Sequence, residues 1–313
     1  MLGRTASGLF WMMRYLERTE NTARLIDAGF RMSLTSSREK QSEWESVLTT
    51  ARVRDDYLAK YQTFRTNQVV DYVIADRENP VSLRNSLTAA RENARMTRTA
   101  LTRDAWEAIN DTWLQLRSAI DNREHLSDLP NLLSKVRQQA ALVRGTIHGT
   151  MLRNDIFRFV ELGKLIERAD NTARILDTKY YVLLPSSASV GSSLDRIQWE
   201  MILRSASAER SFQWLHGGEI SPAAIVDFLV HDVRLPRSIA YCYDEIIMTL
   251  SALEREYGQR TQSHELAASH EAHITNSSSE LIIGSGLHEF LIDFISRNAR
   301  LSAMIEADYR FHA

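Results

Sequence analysis

Two short charged segments hold the residue types best suited to chemistry in this sequence. The first is Glu17-Arg18-Thr19-Glu20-Asn21-Thr22-Ala23-Arg24, and the second is Glu167-Arg168-Ala169-Asp170-Asn171-Thr172-Ala173-Arg174. In each, the Glu, the Asn and the later Arg are spaced i, i+4, i+7, which on a helix is one narrow stripe. Three uses of such a stripe stand open. If it is buried, each Glu and Arg needs a partner on a neighbouring helix, because an unpaired buried charge is costly. If it faces a cleft, Arg18, Arg24, Arg168 and Arg174 offer the forked guanidinium that suits carboxylate or phosphate, with Asn21 and Asn171 orienting the ligand. If Glu17 or Glu167 sits in a cavity with a raised pKa, it is a candidate acid–base catalyst. Paired carboxylates also suit a hard metal ion, but the neighbouring arginines oppose a cation, so no metal is expected.

Further candidates lie outside the stripe. Arg84, Arg91, Arg95 and Arg98 share one helix face, and the matching positions of the second half, near Ala240 and Ile247, are apolar. That face is either a solvated surface or a docking face for an acidic partner or phosphorylated ligand. Arg144 and His148, one turn apart, extend a possible anion site. Asp71, Asp76, Asp227 and Asp232 precede Pro80 and Pro236 at equal spacing and read as residues that bond backbone at helix ends. His264, His270 and His273 with Glu271 have the composition of metal ligands but no recognised spacing. Cys242 lies in an apolar stretch and reads as an inert core thiol. As the single cysteine it excludes an intramolecular disulfide.

The stripes recur because much of the sequence does. Tyr15 to Asp27 returns as Leu165 to Asp177, at an offset of 150 residues. Trp44-Glu45 returns as Trp199-Glu200, and Val70 to Asp76 with Pro80 and Ser82 returns as Val226 to Asp232 with Pro236 and Ser238, at offsets of 155 and 156. Matches in one order with a slowly growing offset indicate tandem duplication. The expected architecture is all-α: two copies of a multi-helix unit, residues 1–150 and 151–313, forming one helical bundle with pseudo-two-fold symmetry. The pattern predicts helices at 6–36, 41–60, 66–77, 80–100, 103–124, 130–150, 154–183, 194–215, 221–232, 236–257 and 286–309, with a polar loop at 258–280. Pro80 and Pro236 fit the first turn of the helix that follows. The first helix places Phe10, Met13 and Ala28 in line with its charged stripe and Trp11, Tyr15, Ile26 and Phe30 opposite, so it is expected at the centre.

Composition narrows the function classes. With 12 Gly and 5 Pro in 313 residues, turn residues are too few for an all-β protein. A formal net charge of −2 gives no global pull toward nucleic acid or an anionic membrane, and aromatic residues do not interleave with a basic run. No uncharged apolar run reaches about 18 residues and the start has no signal-peptide core, so the expected location is cytoplasmic, with neither a membrane nor a nucleic-acid partner. There is no phosphate-binding Gly-rich loop or nucleophile elbow, and Gly284-Ser285-Gly286 lacks the context of a dinucleotide site. No cofactor is expected.

The repeated Glu-Arg followed by Asn-Thr-Ala-Arg, with Ala90-Arg91-Glu92-Asn93-Ala94-Arg95 and the Arg144 to Met151 segment, resembles the alpha-E domain family along essentially the whole chain. These are bacterial α-helical proteins known for that motif. The resemblance implies a context: circularly permuted ATP-grasp proteins, which join a carboxylate to an amine, and transglutaminase-like cysteine peptidases. The leading expectation is therefore a helical partner or substrate-binding subunit in an ATP-grasp-associated peptide- or amide-forming system, with an anionic or peptide ligand. Two alternatives stand beside it: an enzyme acting on a peptide or amide through Glu17 or Glu167, and a purely structural assembly protein.

Overall fold

The computed structural model describes residues 1–35, 40–183, 193–217 and 220–312, and every regular element among them is helical. The first half contains α1 (Gly3–Thr35), α2 (Lys40–Thr50), α3 (Arg54–Lys60), α4 (Thr66–Ile74), α5 (Leu83–Met96), α6 (Arg103–Asp121), α7 (Glu124–Ser127) and α8 (Leu129–Thr150). The second contains α9 (Asp155–Leu183), α10 (Ser193–Ser205), α11 (Glu209–His216), α12 (Pro222–Val230), α13 (Ile239–Tyr257), α14 (Gln262–Thr275), α15 (Ser279–Ser285) and α16 (Leu287–Asp308).

Local chemistry sets the ends of these helices, and in three respects it departs from the expected pattern. The single helices expected over 41–60 and 194–215 each break in two, at Arg52 and Ser207, which adopt left-handed φ values of 58° and 54°. Helices α5 and α13 begin after Ser82 and Ser238, not at the prolines, because each serine hydroxyl accepts a backbone N–H of the first turn, from Asn85 and Tyr241. The expected loop at 258–280 is largely helix α14. Its start is a capping box in which Thr261 and His264 satisfy each other's backbone N–H. Its buried stripe is Ser263, His264, Ala267, His270 and Ile274, at helical spacing but built from small and polar residues. A hydrophobicity pattern does not see such a stripe.

Helices α1 and α9 pack against each other at the centre. Gly163 permits the closest approach, since a Cβ there would collide with the Phe10 carbonyl. In both halves the first helix packs on the second, fifth and eighth of its own half. In addition, α2 packs on α9 and α10 packs on α1, so each half grips the other's central helix. Phe10, Met13, Leu16, Val160, Leu165 and Ile166 fill the main core around this crossing, and Trp44, Tyr57, Val73 and Leu132 anchor a second one. Cys242 is fully buried in the main core, and burial pushes its thiol up to about 12.

Candidate functional site

The two charged stripes meet where α1 crosses α9. Both faces of α1 are covered, which forces Glu17 and Glu20 inside; each is 0% exposed. Glu17 accepts two hydrogen bonds from Arg168 across the interface, Nε to Oε1 at 2.9 Å and Nη2 to Oε2 at 3.2 Å. Arg144 reaches Glu17 Oε2 from α8 at 3.4 Å. Arg237, two residues before α13, lies 3.3 Å from Glu17 Oε1 and donates to Glu20 Oε1 at 2.8 Å and to Asn21 Oδ1 at 3.2 Å. Glu20 also accepts from Arg144 and, at 2.9 Å, from Arg24 Nε. Arg24 bonds Ser207 in turn, so it joins the network through Glu20 and not through Glu17. Arg168 donates its remaining arm to the Pro236 carbonyl at 3.2 Å.

The reciprocal pair lies on α9. Glu167 accepts from Arg18 at 2.6 and 2.8 Å and from Arg14 at 3.0 Å. Arg14 also donates to Ser302 at 2.8 Å and lies 4.6 Å from the Trp11 ring centroid. Asp170 accepts two bonds from Arg174, at 2.6 and 3.1 Å. Each Glu of one motif is thus clamped by the Arg of the other, in the forked geometry that makes such pairs strong.

Burial alone would raise both carboxylates. Arg168, Arg237 and Arg144 overcome it at Glu17 and hold that group well below the usual range, while Arg18 and Arg14 hold Glu167 at about 2. Both therefore stay ionised at neutral pH. Neither has a proton to give, and their arginines make them weak bases, so the geometry opposes acid–base catalysis by Glu17 or Glu167. Burial pulls Arg237 down to about 10, which leaves it charged at neutral pH.

The two motifs differ in what surrounds them. Beside Glu17 the space is filled by Arg237 and Arg144. Beside Glu167 a cleft of about 270 Å³ remains, lined by Arg18, Asn21, Val81, Asp170, Asn171 and Arg174, among others. Asn21 is buried, and its Nδ2 makes no hydrogen bond. Among the expected anion-site residues, Arg18, Arg174, Asn21 and Asn171 therefore line the cleft, whereas Arg24 and Arg144 are committed to Glu20 and Arg168 to Glu17.

His148 stands apart from the cleft and is exposed. Its Nε2 lies 3.0 Å from Glu161 Oε1, and Lys164 pairs with the same carboxylate. The basic face of α5 is partly consumed by packing: Arg91 bonds Asn110 at 2.9 Å and lies 4.1 Å from the Trp113 ring, Arg84 pairs with Asp121, and Arg98 covers Trp106. Arg95 is exposed. Asp76 and Asp232 do bond backbone just past helix ends, at Glu78 and Arg234, while Asp71 and Asp227 instead face His125 and His231. The three histidines of α14 diverge: His264 caps the helix, His270 faces Tyr243 in the core, and His273 stacks on Phe290.

Sequence reasoning passed over Arg237, Arg14 and Glu20, three of the groups that close the network. Arg237 carried a signal. It stands opposite Val81 in the similar segments, between the matching Pro80/Pro236 and Ser82/Ser238, one of several positions at which those segments differ.

A family model described as a predicted alpha-helical domain with a conserved ER motif matches residues 1–309. Uncharacterized proteins of Mycobacterium bovis and Mycobacterium tuberculosis are each 26% identical over 286 residues, covering 82% of this chain. The chain spans about 30% of the length of these curated relatives. No solved structure matches it.

Proposed function

The chain belongs to the Alpha-E family, and from that premise we propose that it is a substrate-binding subunit of a peptide- or amide-forming system. In this reading its partners are a circularly permuted ATP-grasp protein and a transglutaminase-like peptidase, and it works in the cytoplasm. No described helix is long and apolar enough to cross a membrane. Residues 1–150 and 151–313 are, in the same reading, tandem copies of one unit.

One observation supports a binding role over a purely structural one. Both Glu-Arg motifs are clamped across the interface, and a polar cleft lies beside Glu167, lined by Arg18, Asn171 and Arg174 among others. A purely structural clasp gains nothing from that cavity. An enzyme built on Glu17 or Glu167 is disfavoured by their locked ionisation. The motif holds α1 against α9, and the cleft takes part of the substrate while the ATP-grasp partner supplies the activated carboxylate.

The test is co-purification of the tagged chain with the ATP-grasp protein from the native host, followed by an amide-forming assay with and without the chain. Retention of the partner, with amide formation that requires the chain, supports the reading. Amide or peptide turnover by the chain alone would move it to the enzyme class, and absence of any association would leave the structural one.

A further inference from the structure

The cleft can be read against its filled counterpart. At an offset of 150 residues, Glu17, Glu20, Asn21 and Arg24 correspond to Glu167, Asp170, Asn171 and Arg174, and at an offset of 156 Val81 corresponds to Arg237. The local structure agrees, because Ser82 and Ser238, the residues after Val81 and Arg237, cap α5 and α13 in the same way. At the filled site the Arg237 guanidinium sits within 3.3 Å of Glu17, Glu20 and Asn21 and is almost wholly buried. At the open site Val81 is too short and too apolar to do this, and the cleft lies between it and Glu167, Asp170 and Asn171. The filled site gathers Arg168, Arg144, Arg237 and Arg24 on its two carboxylates, whereas the open one gathers Arg14, Arg18 and Arg174. The missing cation is the one whose seat is vacant.

The same cleft also seeks an acceptor. Asn21, 4% exposed, is one of its lining residues and carries an amide Nδ2 without a partner, and Arg174 and Arg52 add positive charge to the wall. A buried donor without an acceptor is costly, so a ligand oxygen there is favourable. Arg52 stands at the offset of 155 from Ser207, so a cation on this side replaces the hydroxyl of the filled one.

We propose that this cleft binds a small amino acid of the arginine type, its guanidinium in the seat that Arg237 fills in the other half and its carboxylate toward Asn21, Arg174 and Arg52. The proposal rests on the reading of the cleft as a binding site and names its ligand class. A cleft of about 270 Å³ lies just below the usual range for ligand pockets, roughly 300–1,000 Å³, which suits a small ligand. Asp170 and Asn171 receive the guanidinium as Glu20 and Asn21 receive Arg237. A phosphate dianion meets Glu167 and Asp170 instead, which repel it.

The experiment is calorimetric titration of the isolated chain with L-arginine, methylguanidinium, acetate and inorganic phosphate. L-arginine is expected to bind with a Kd of about 1 mM or tighter, methylguanidinium more weakly, and acetate and phosphate not measurably. Asp170→Asn is expected to weaken L-arginine by about tenfold or more, the loss of a charge-assisted bond. Val81→Arg supplies the missing guanidinium from the chain itself and is expected to abolish L-arginine binding while keeping the helical circular-dichroism signal. If Val81→Arg does not fold, Asp170→Asn and Asn171→Ala carry the test. No binding of L-arginine by the parent, equal binding by Asp170→Asn, or binding of phosphate in preference to L-arginine overturns the proposal. The titration is independent of the co-purification above: a retained partner with no L-arginine binding sinks the ligand assignment alone.

Discussion

Glu17 on α1 and Arg168 on α9 form a two-bond pair at 2.9 and 3.2 Å, and their sequence neighbours Arg18 and Glu167 form the reverse pair at 2.6 and 2.8 Å. Each Glu-Arg dipeptide therefore exchanges partners with the other. A Glu-Arg dipeptide that closes on a second Glu-Arg dipeptide fixes both the register and the facing of the two central helices, because sliding either helix by one residue unpairs all four charges. Buried polar pairs are best attested in this registry role.

The two pairs are expected to differ in cost. Glu17→Gln strands Arg168 and Arg237, both buried, and should destabilise by about 3–5 kcal/mol. Glu167→Gln strands Arg14 and Arg18, whose side chains are 12% and 25% exposed, and should cost less, about 1–3 kcal/mol. Urea unfolding of the two variants checks the order, and equal losses would refute the asymmetry.

Acid should weaken the fold in two stages. Glu167 is held at about 2 by Arg18 and Arg14, against an ordinary value of 4.5. A depressed carboxylate stabilises the fold above its unfolded pKa, and that contribution disappears as pH falls from about 4.5 to about 2. Burial, with Arg297 and Arg300, lowers His270 from 6.5 to about 4. Over that interval the unfolded chain takes up a proton that the folded chain refuses, so stability falls as pH drops from 6.5 toward 4. Urea midpoints measured across pH should decline below 6.5, and His270→Gln should flatten the upper part of the decline while leaving the lower part.

The basic face of α5 should divide by residue. Arg91→Glu loses the stack on Trp113 and the bond to Asn110 and should cost about 1–2 kcal/mol. Arg95→Glu, at an exposed position, should stay within about 0.5 kcal/mol. Thermal melts of the two single variants separate packing from surface charge.

Gly163 should not tolerate a side chain. Its Cα faces the Phe10 carbonyl at the α1–α9 crossing, so Gly163→Ala pushes the central helices apart. A loss of about 1–3 kcal/mol is expected in urea unfolding, and a neutral result would mean that the crossing relaxes freely.

How much of this was legible depends on what each residue's neighbours are made of. The central position of α1 followed from apolar residues on both sides of its charged stripe, and burial of Glu17 followed from that. The identity of its partners did not, because Arg168, Arg144 and Arg237 arrive from three other segments, and only the fold brings them together. Helix α14 has the sequence of a polar loop because its buried residues are Ser263, His264, Ala267, His270 and Ile274, mostly small or polar, which carry little hydrophobic period. The breaks at Arg52 and Ser207 were hidden because neither is the Gly or Asn that usually marks a left-handed turn. The open cleft has no sequence signature beyond the Val81 and Arg237 pair, because its lining comes from segments that only the fold brings together.

The most direct test of the clasp is a double-mutant cycle on Glu17 and Arg168. Glu17→Met, Arg168→Met and the double variant are made, and unfolding free energies are measured in urea. Each single variant leaves a buried charge short of a partner, while the double variant removes both ends of the pair, so the double loss should fall below the sum of the singles by about 1–3 kcal/mol. Additive losses, or singles within about 0.5 kcal/mol of the parent, would mean that Glu17 and Arg168 do not hold α1 and α9 together.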